Sequence, residues 1–347
     1  MSVRTPSIIS PQLEALLKEM RSQVSELQTR PVDNRPIRPV VVPPGCSRER
    51  LIELLMGGVE QRFGIQPNGN VERKLRDSLA HLDEDNLVQW CEQILPLPAH
   101  HHEWLGLVEC LTVHETYFCR DMPTLEVVRR EIFPELIAHE VFPDLIEQAA
   151  KRSTPTIRIW SAACSTGEET YSLLFLLLES LLEAGYAREN DRGEIIPDSR
   201  WILDIVGSDL SSQVLTTARG AVYAQFGLGS FRELPPRFWR FFEKVHASDA
   251  TLPGANYWRV RDFVTKLVRF QKHNLLSGEA IGHQRDLTVC RNVMIYFDKE
   301  AKFRVQDLLA SSLCPGGYLI LGSTDPQLLP ERYERKVNNG VFWYLKR

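Results

Sequence analysis

Residues 159–179, IWSAACSTGEETYSLLFLLLE, run from a short apolar segment through a turn of small residues into a stretch so apolar that it must be buried. A strand at 157–161, a helix at 168–184 and a second strand at 201–208 make the opening of a doubly wound α/β sheet. A dinucleotide site at such a turn uses G-x-G-x-x-G, so that the backbone can approach a pyrophosphate at the helix N-terminus. Here the loop is Ala163-Cys164-Ser165-Thr166-Gly167, and Glu168 and Glu169 follow it. A phosphate about 4 Å from either carboxylate meets repulsion on the order of 4 kcal/mol at an effective dielectric of about 20. That argues against NAD or ATP.

Positions at the ends of the neighbouring strands narrow the ligand. Asp209 closes the second strand in VGSDLS (206–211), where an acidic side chain can accept both ribose hydroxyls; taken alone, an Asp at such a place is more often a cap, here for the helix that starts near Ser211. The strand at 286–290 leads into CRNVMIYFD (290–298), which sets Arg291 and Asn292 at the carboxyl edge of the sheet, where open α/β folds bind ligands. A nucleoside with positive charge and no phosphate suits this set, and S-adenosylmethionine, with its ammonium and sulfonium, is such a molecule. The alternative leaves Glu168 and Glu169 as complements of the helix dipole, worth about 0.3–1 kcal/mol each.

The rest of the chain frames that unit. With 347 residues, 43% of them apolar and 25% charged, it has room for two domains with cores of their own. A formal charge of −4 gives no global basic field, so no nucleic-acid partner is expected. The seven cysteines, none in C-x-x-C spacing, fit free thiols in a reducing compartment better than disulfides or a zinc site. The apolar run 173–178 is too short to span a membrane, and MSVRTPSIIS has no apolar signal core. The expectation is a cytoplasmic protein without membrane insertion.

Residues 1–47 read as a flexible proline-rich segment with a short helix at 13–27. A helical domain follows at 48–121, its apolar residues Leu51, Leu54, Leu55, Val59, Leu75, Leu79 and Leu82 at helical spacing and its breaks at Gly64, Pro67, Gly69 and 96–98. Residues 122–156 are expected to be a helical linker, and 157–347 the sheet domain. An inserted β-subdomain is read at about 222–273, with a polar aromatic helix at 236–245 and then YWRVRDFVTKLVRFQKHN (257–274), which alternates like two strands. Asp298 caps a helix through Leu313, 315–317 stops it, 318–321 is a strand, and RYERKVNNGVFWYLKR (332–347) is a hairpin about Asn-Gly.

Six segments then carry a resemblance. VHETYFCRD (113–121), IRIWSAACSTGEETYSL (157–173), VGSDLS, FQKHNLL (270–276), CRNVMIYFD and CPGGYLILGS (314–323) resemble, in order, the motifs of CheR-type chemotaxis receptor methyltransferases, over about residues 48–347. The resemblance implies an N-terminal helical domain on a Rossmann-like S-adenosylmethionine-dependent methyltransferase domain with an inserted small β-subdomain. It implies methyl transfer to glutamate side chains of a chemoreceptor's cytoplasmic domain. It also implies a site: His114, Thr116 and Arg120 reach the cofactor from the helical side, and Glu169, Asp209, Asn274, Leu275, Arg291 and Asn292 line the rest. Arg120 and Tyr296 then stand nearest the reacting groups.

Arg73, Lys74 and Arg76 in VERKLRDSL (71–79) read on their own as a solvated helix face; the resemblance makes that face the one that meets acidic receptor helices. Three departures stand out. His114 replaces a common Asn, Cys119 a usual second Phe, and Ser323-Thr324-Asp325 the usual His-Ser-Glu, which bears on the substrate side. A substrate glutamate with a pKa near 4.3 is ionised at neutral pH, so no general base is needed. No metal is expected, because three consecutive histidines at 100–102 cannot converge on one tetrahedral ion. A monomer is expected. Two other functions stay open: a small-molecule carboxyl methyltransferase, which needs neither the basic helix nor the insert, and a cofactor-binding regulatory module that has lost transfer.

Overall fold

The computed structural model describes residues 42–99, 101–111, 115–141, 154–227, 229–245, 255–282 and 284–347. The expected helix at 13–27, most of the proline-rich segment, His100 and His114 lie outside them. The chain divides into two compact units, Met1–Val113 with Tyr296–Lys302, and His114–Ile295 with Phe303–Arg347.

In the first unit the described helices are α1 (Arg48–Phe63), α2 (Gly69–Leu79), α3 (Glu84–Ile94) and α4 (His102–Leu111). Side-chain oxygens of Ser47, Asn68 and Asp83 accept first-turn N–H groups of α1, α2 and α3, satisfying donors that a helix start otherwise leaves open. Gly64 ends α1 at φ 61°, a left-handed cap that favours glycine. Leu51, Leu55, Val59, Leu75, Leu87, Ile94 and Trp104 form the buried interior. Gly58 must stay small, because a Cβ there would stand 2.4 Å from the Trp104 ring. The guanidinium of Arg62 lies 4.4 Å over that ring and donates to the carbonyls of Leu95 and Leu97, just past the end of α3. The segment Tyr296–Lys302 joins this unit through the backbone: Gln66 N–H donates to Tyr296 O, Asp298 N–H donates to Gly64 O, and Ile65 bridges Phe297.

The second unit begins with α5 (Met122–Val127), a π-helical turn at Val128–Ile132 and α6 (Phe133–Val141). Then come β1 (Thr156–Ala162), α7 (Glu168–Glu183), a small hairpin of β2 (Ala187–Glu189) and β3 (Ile195–Pro197), β4 (Ile202–Asp209) and α8 (Ser212–Gly220). β5 (Val222–Gln225), β6 (Phe242–Val245) and β7 (Asn256–Val260) precede the short α9 (Asp262–Thr265) and β8 (Val268–Lys272). The chain closes with β9 (Arg285–Cys290), α10 (Lys299–Ser312), β10 (Leu313–Leu321), β11 (Tyr333–Asn338) and β12 (Val341–Lys346). Seven strands form one sheet in the order β11-β12-β10-β9-β1-β4-β8. Those from β10 to β8 pair in parallel, and β12 runs antiparallel between β10 and β11. Asn339 and Gly340, both at positive φ, make the tight turn of that last hairpin.

Several expectations change. Within the expected linker at 122–156, the described residues 122–141 are part of the sheet unit: Leu125, Val128, Ile132, Phe133 and Leu136 are buried in the same core as the apolar face of α7. Residues 236–245 are a 3₁₀ turn at Pro236–Phe241 followed by β6, since the aromatic side chains fill a core rather than one helical stripe. The two strands read at 257–273 belong to different sheets. β7 sits between β5 and β6 in a three-stranded antiparallel insert, whereas β8 is the edge of the main sheet, so the insert ends before 268. β10 starts at Leu313 and takes up Pro315-Gly316-Gly317 in a register shift against β9. Among the described residues no helix is long and apolar enough to cross a membrane.

Candidate active site

From β1 the chain builds outward through β4 to β8; from β9 it builds the other way through β10 and the final hairpin. Strand succession therefore reverses between β1 and β9, and in open α/β sheets ligands bind outside the carboxyl ends of the strands at such a reversal.

The turn after β1 is wound tightly. Ala163, Ser165 and Gly167 have φ of 59°, 50° and 95°, conformations that non-glycine residues hold only when the surroundings fix them. Cys164 N–H donates to Ser208 O at 2.8 Å, Ser165 N–H to Asp209 Oδ2 at 2.9 Å, and the Tyr223 hydroxyl to Thr166 O at 2.7 Å. A Cβ on Gly167 would stand 2.9 Å from that of Ala218. The loop's glycine thus serves turn shape and the packing of α8, not the approach of a pyrophosphate.

The two glutamates that open α7 part company, as successive residues about 100° apart around a helix must. Glu168 is 1% exposed; its carboxyl bonds the hydroxyls of Thr166 and Ser230 at 2.6 and 2.8 Å, and burial raises its pKa. Glu169 turns the other way. It accepts from the Ser161 hydroxyl at 2.8 Å and from Arg291 Nη1 at 3.2 Å. Arg291 Nη2 also donates to Asp121 Oδ2 and to the carbonyl of Arg120, both at 3.0 Å. A buried guanidinium thereby links the start of α7, the segment 115–121 and the end of β9. Pairing of this kind offsets the cost of taking the charges out of water.

The other expected positions fall as follows. Asp209 is buried at the end of β4, and besides Ser165 N–H its Oδ1 accepts Ser211 N–H at 3.0 Å; the helix cap is the Ser211 hydroxyl, which accepts Val214 N–H. Asn274, just past β8, accepts Leu276 N–H on its side-chain oxygen, and Leu275 beside it is buried. Asn292 has φ 59°, and its N–H and that of Gly322 both donate to Asp325 Oδ2. The departure at 325 therefore keeps a carboxylate that fastens the ends of β9 and β10. Thr116 and Arg120 are half-buried, and Arg120 Nη1 donates to Glu115 O. Cys119 is buried, with its N–H on the Ser172 hydroxyl.

Tyr296 groups with the helical unit, as do Arg73, Lys74 and Arg76 on α2. Arg73 pairs with Asp77 and Arg76 with Glu72, both at i,i+4, which offsets much of the expected positive field. Sequence reasoning missed Ser161 and Asp121, although both lie in quoted motifs, and took Asp325 only as a departure on the substrate side. Among the described residues, no group of three or more His, Cys, Asp or Glu could hold a metal ion.

Ser165 Oγ and Arg291 Nε are buried without hydrogen-bond partners. With the acceptors Glu169 and Asp209 they make a donor and acceptor set suited to a zwitterionic nucleoside, and one that would repel a chain of phosphates.

A family model described as "CheR methyltransferase, SAM binding domain" matches residues 114–339. A chemotaxis protein methyltransferase of Vibrio parahaemolyticus is 34% identical over 245 residues, 70% of this chain and 76% of that protein. Chemotaxis protein methyltransferase 1 of Pseudomonas aeruginosa is 33% identical over 243 residues, 69% of this chain and 77% of its own length.

Proposed function

The chain belongs to the CheR methyltransferase family, and from that membership we propose that it methylates glutamate side chains in the cytoplasmic domain of a chemoreceptor, giving glutamate methyl esters and S-adenosylhomocysteine. It is a methyltransferase whose cofactor is S-adenosylmethionine. The observation that carries the reading is the Glu169–Arg291–Asp121 network at the strand reversal, beside a turn whose backbone is closed by Asp209.

When bound, S-adenosylmethionine supplies a methyl group on a sulfonium. A receptor glutamate is ionised at neutral pH, so the chain need not remove a proton; its work is to hold, align and keep water out. In this proposal Thr116, Glu169, Asp209, Asn274, Leu275, Arg291 and Asn292 hold the cofactor, together with His114 from the same motif as Thr116. Arg120 meets the substrate carboxylate, having further N–H groups beyond the one given to Glu115. Tyr296 orients the attacking oxygen through its hydroxyl. The α2 face with Arg73, Lys74 and Arg76 steers the receptor helices, and the protein acts as a cytoplasmic monomer.

Incubation with methyl-labelled cofactor, presenting receptor cytoplasmic domains and small carboxylic acids side by side, tests this. Label is expected in the receptor domain. Label in the small acids alone, or cofactor binding with no transfer to either, would replace the proposal with one of the two other functions.

A further inference from the structure

The turn that receives the cofactor is held in part from the inserted sheet. Two of its contacts come from there. The Tyr223 hydroxyl, on β5, donates to Thr166 O at 2.7 Å, and Ser230, in the loop between β5 and β6, gives its hydroxyl to Glu168 Oε1 at 2.8 Å. The other oxygen of Glu168 bonds the Thr166 hydroxyl at 2.6 Å. Ser230 also accepts Phe118 N–H on its carbonyl at 2.8 Å, in the segment that carries Thr116 and Arg120. Glu168 is 1% exposed, so no water competes for these bonds, and buried networks of this kind are coupled rather than additive. A turn with non-glycine residues at positive φ keeps its shape only while such contacts hold.

We propose that Glu168 is a positioning residue: it transmits the Ser230 contact of the inserted sheet to the cofactor turn, so that the insert sets cofactor affinity although it contributes no residue to the cofactor's own contacts. By linkage, a partner that binds the insert and shifts Ser230 changes cofactor affinity, and cofactor changes the affinity for that partner by the same factor. The inference rests on the assignment of the strand reversal as the S-adenosylmethionine site.

The test is calorimetric titration of S-adenosylhomocysteine into the wild-type chain, Ser230→Ala, Glu168→Ala, the double variant, and Glu168→Gln, with a melting curve for each. Loss of one hydrogen bond's worth of positioning weakens binding by about tenfold. Ser230→Ala is expected to show that loss in the wild-type background and none in the Glu168→Ala background, because it acts through Glu168. Glu168→Gln, which keeps both hydrogen-bonding atoms, is expected to bind close to wild type. Wild-type affinity in Ser230→Ala, or additive losses in the double variant, overturns the inference while leaving the cofactor site in place. A wild-type chain that does not bind S-adenosylhomocysteine overturns the site assignment and the inference together.

Discussion

Glu168 and Glu169 are adjacent in sequence and serve different ends, which the letters E-E alone do not reveal. The sequence reading sets both against a phosphate; in the structure only Glu169 joins the Arg291 network, and Glu168 is sealed beneath the turn. That burial has a pH signature. Burial raises the folded pKa of Glu168 above the unfolded value near 4.3. The proton is therefore held more tightly in the folded state, and the resulting stability is complete below about pH 4.3 and lost as pH rises through the raised value. Glu168→Gln cannot titrate, so its melting temperature should gain on the wild type as pH rises above about 4.3, the unfolded value. A difference independent of pH would contradict a buried, hard-to-ionise carboxyl. Asp209 admits a second test. It was legible as a strand-end acid, but its two bonds to backbone N–H groups were not, because Ser165 is 44 residues away in sequence. Asp209→Ala should lose about 1.5–3 kcal/mol for each charge-assisted bond in denaturant unfolding and also weaken S-adenosylhomocysteine binding. A destabilised variant of unchanged affinity would reduce Asp209 to a structural brace.

The strand and helix around the turn were readable because a short apolar strand, a turn of small residues and a long apolar helix follow one another; the limits of the insert were not. The alternation across 257–273 is real, yet alternation cannot say which sheet a strand joins, and β7 and β8 separate on either side of the short α9. Phe270 of β8 shows what fixes the answer. It packs against Gly207 of β4, where an added Cβ would come 2.6 Å from its ring and from Thr170 Oγ1. Gly207→Ala should therefore cost about 1–3 kcal/mol through overpacking, measured by the same unfolding curves; a neutral substitution would mean that β8 yields easily. On α2 the i,i+4 partners temper the basic face, and reversing Arg73 or Arg76 would also create like-charge neighbours within the helix. Lys74→Gln, which removes the charge without adding a like-charge neighbour, is the cleaner probe of steering. It is expected to slow transfer at limiting receptor, to flatten the fall of that rate with salt, and to leave S-adenosylhomocysteine affinity alone, since rim charges act on association. A rate and salt profile identical to wild type would remove α2 from receptor recognition.

For the molecule as a whole, the β-α-β opening and the order of six motifs were enough to expect a doubly wound sheet closed by an antiparallel hairpin, and the strand order carries that topology. Less visible was the division of the chain. Tyr296–Lys302 begins within the motif CRNVMIYFD of the sheet domain and yet pairs with the backbone of 64–66 in the helical unit, a long-range bridge that no local pattern encodes. The helices at 122–141 read as a connection, but Leu125, Val128, Ile132, Phe133 and Leu136 enter the core beside α7. These features make a methyltransferase built to present one activated methyl group to an already ionised carboxylate. The most direct measurement is peptide mass spectrometry of a receptor cytoplasmic domain after incubation with the chain and S-adenosylmethionine, before and after mild alkali. Added methyl groups on glutamate side chains, removed by the alkali as esters must be, are the predicted result. Methyl groups on other residue types, or on none while a small carboxylic acid in the same mixture is esterified, would contradict it.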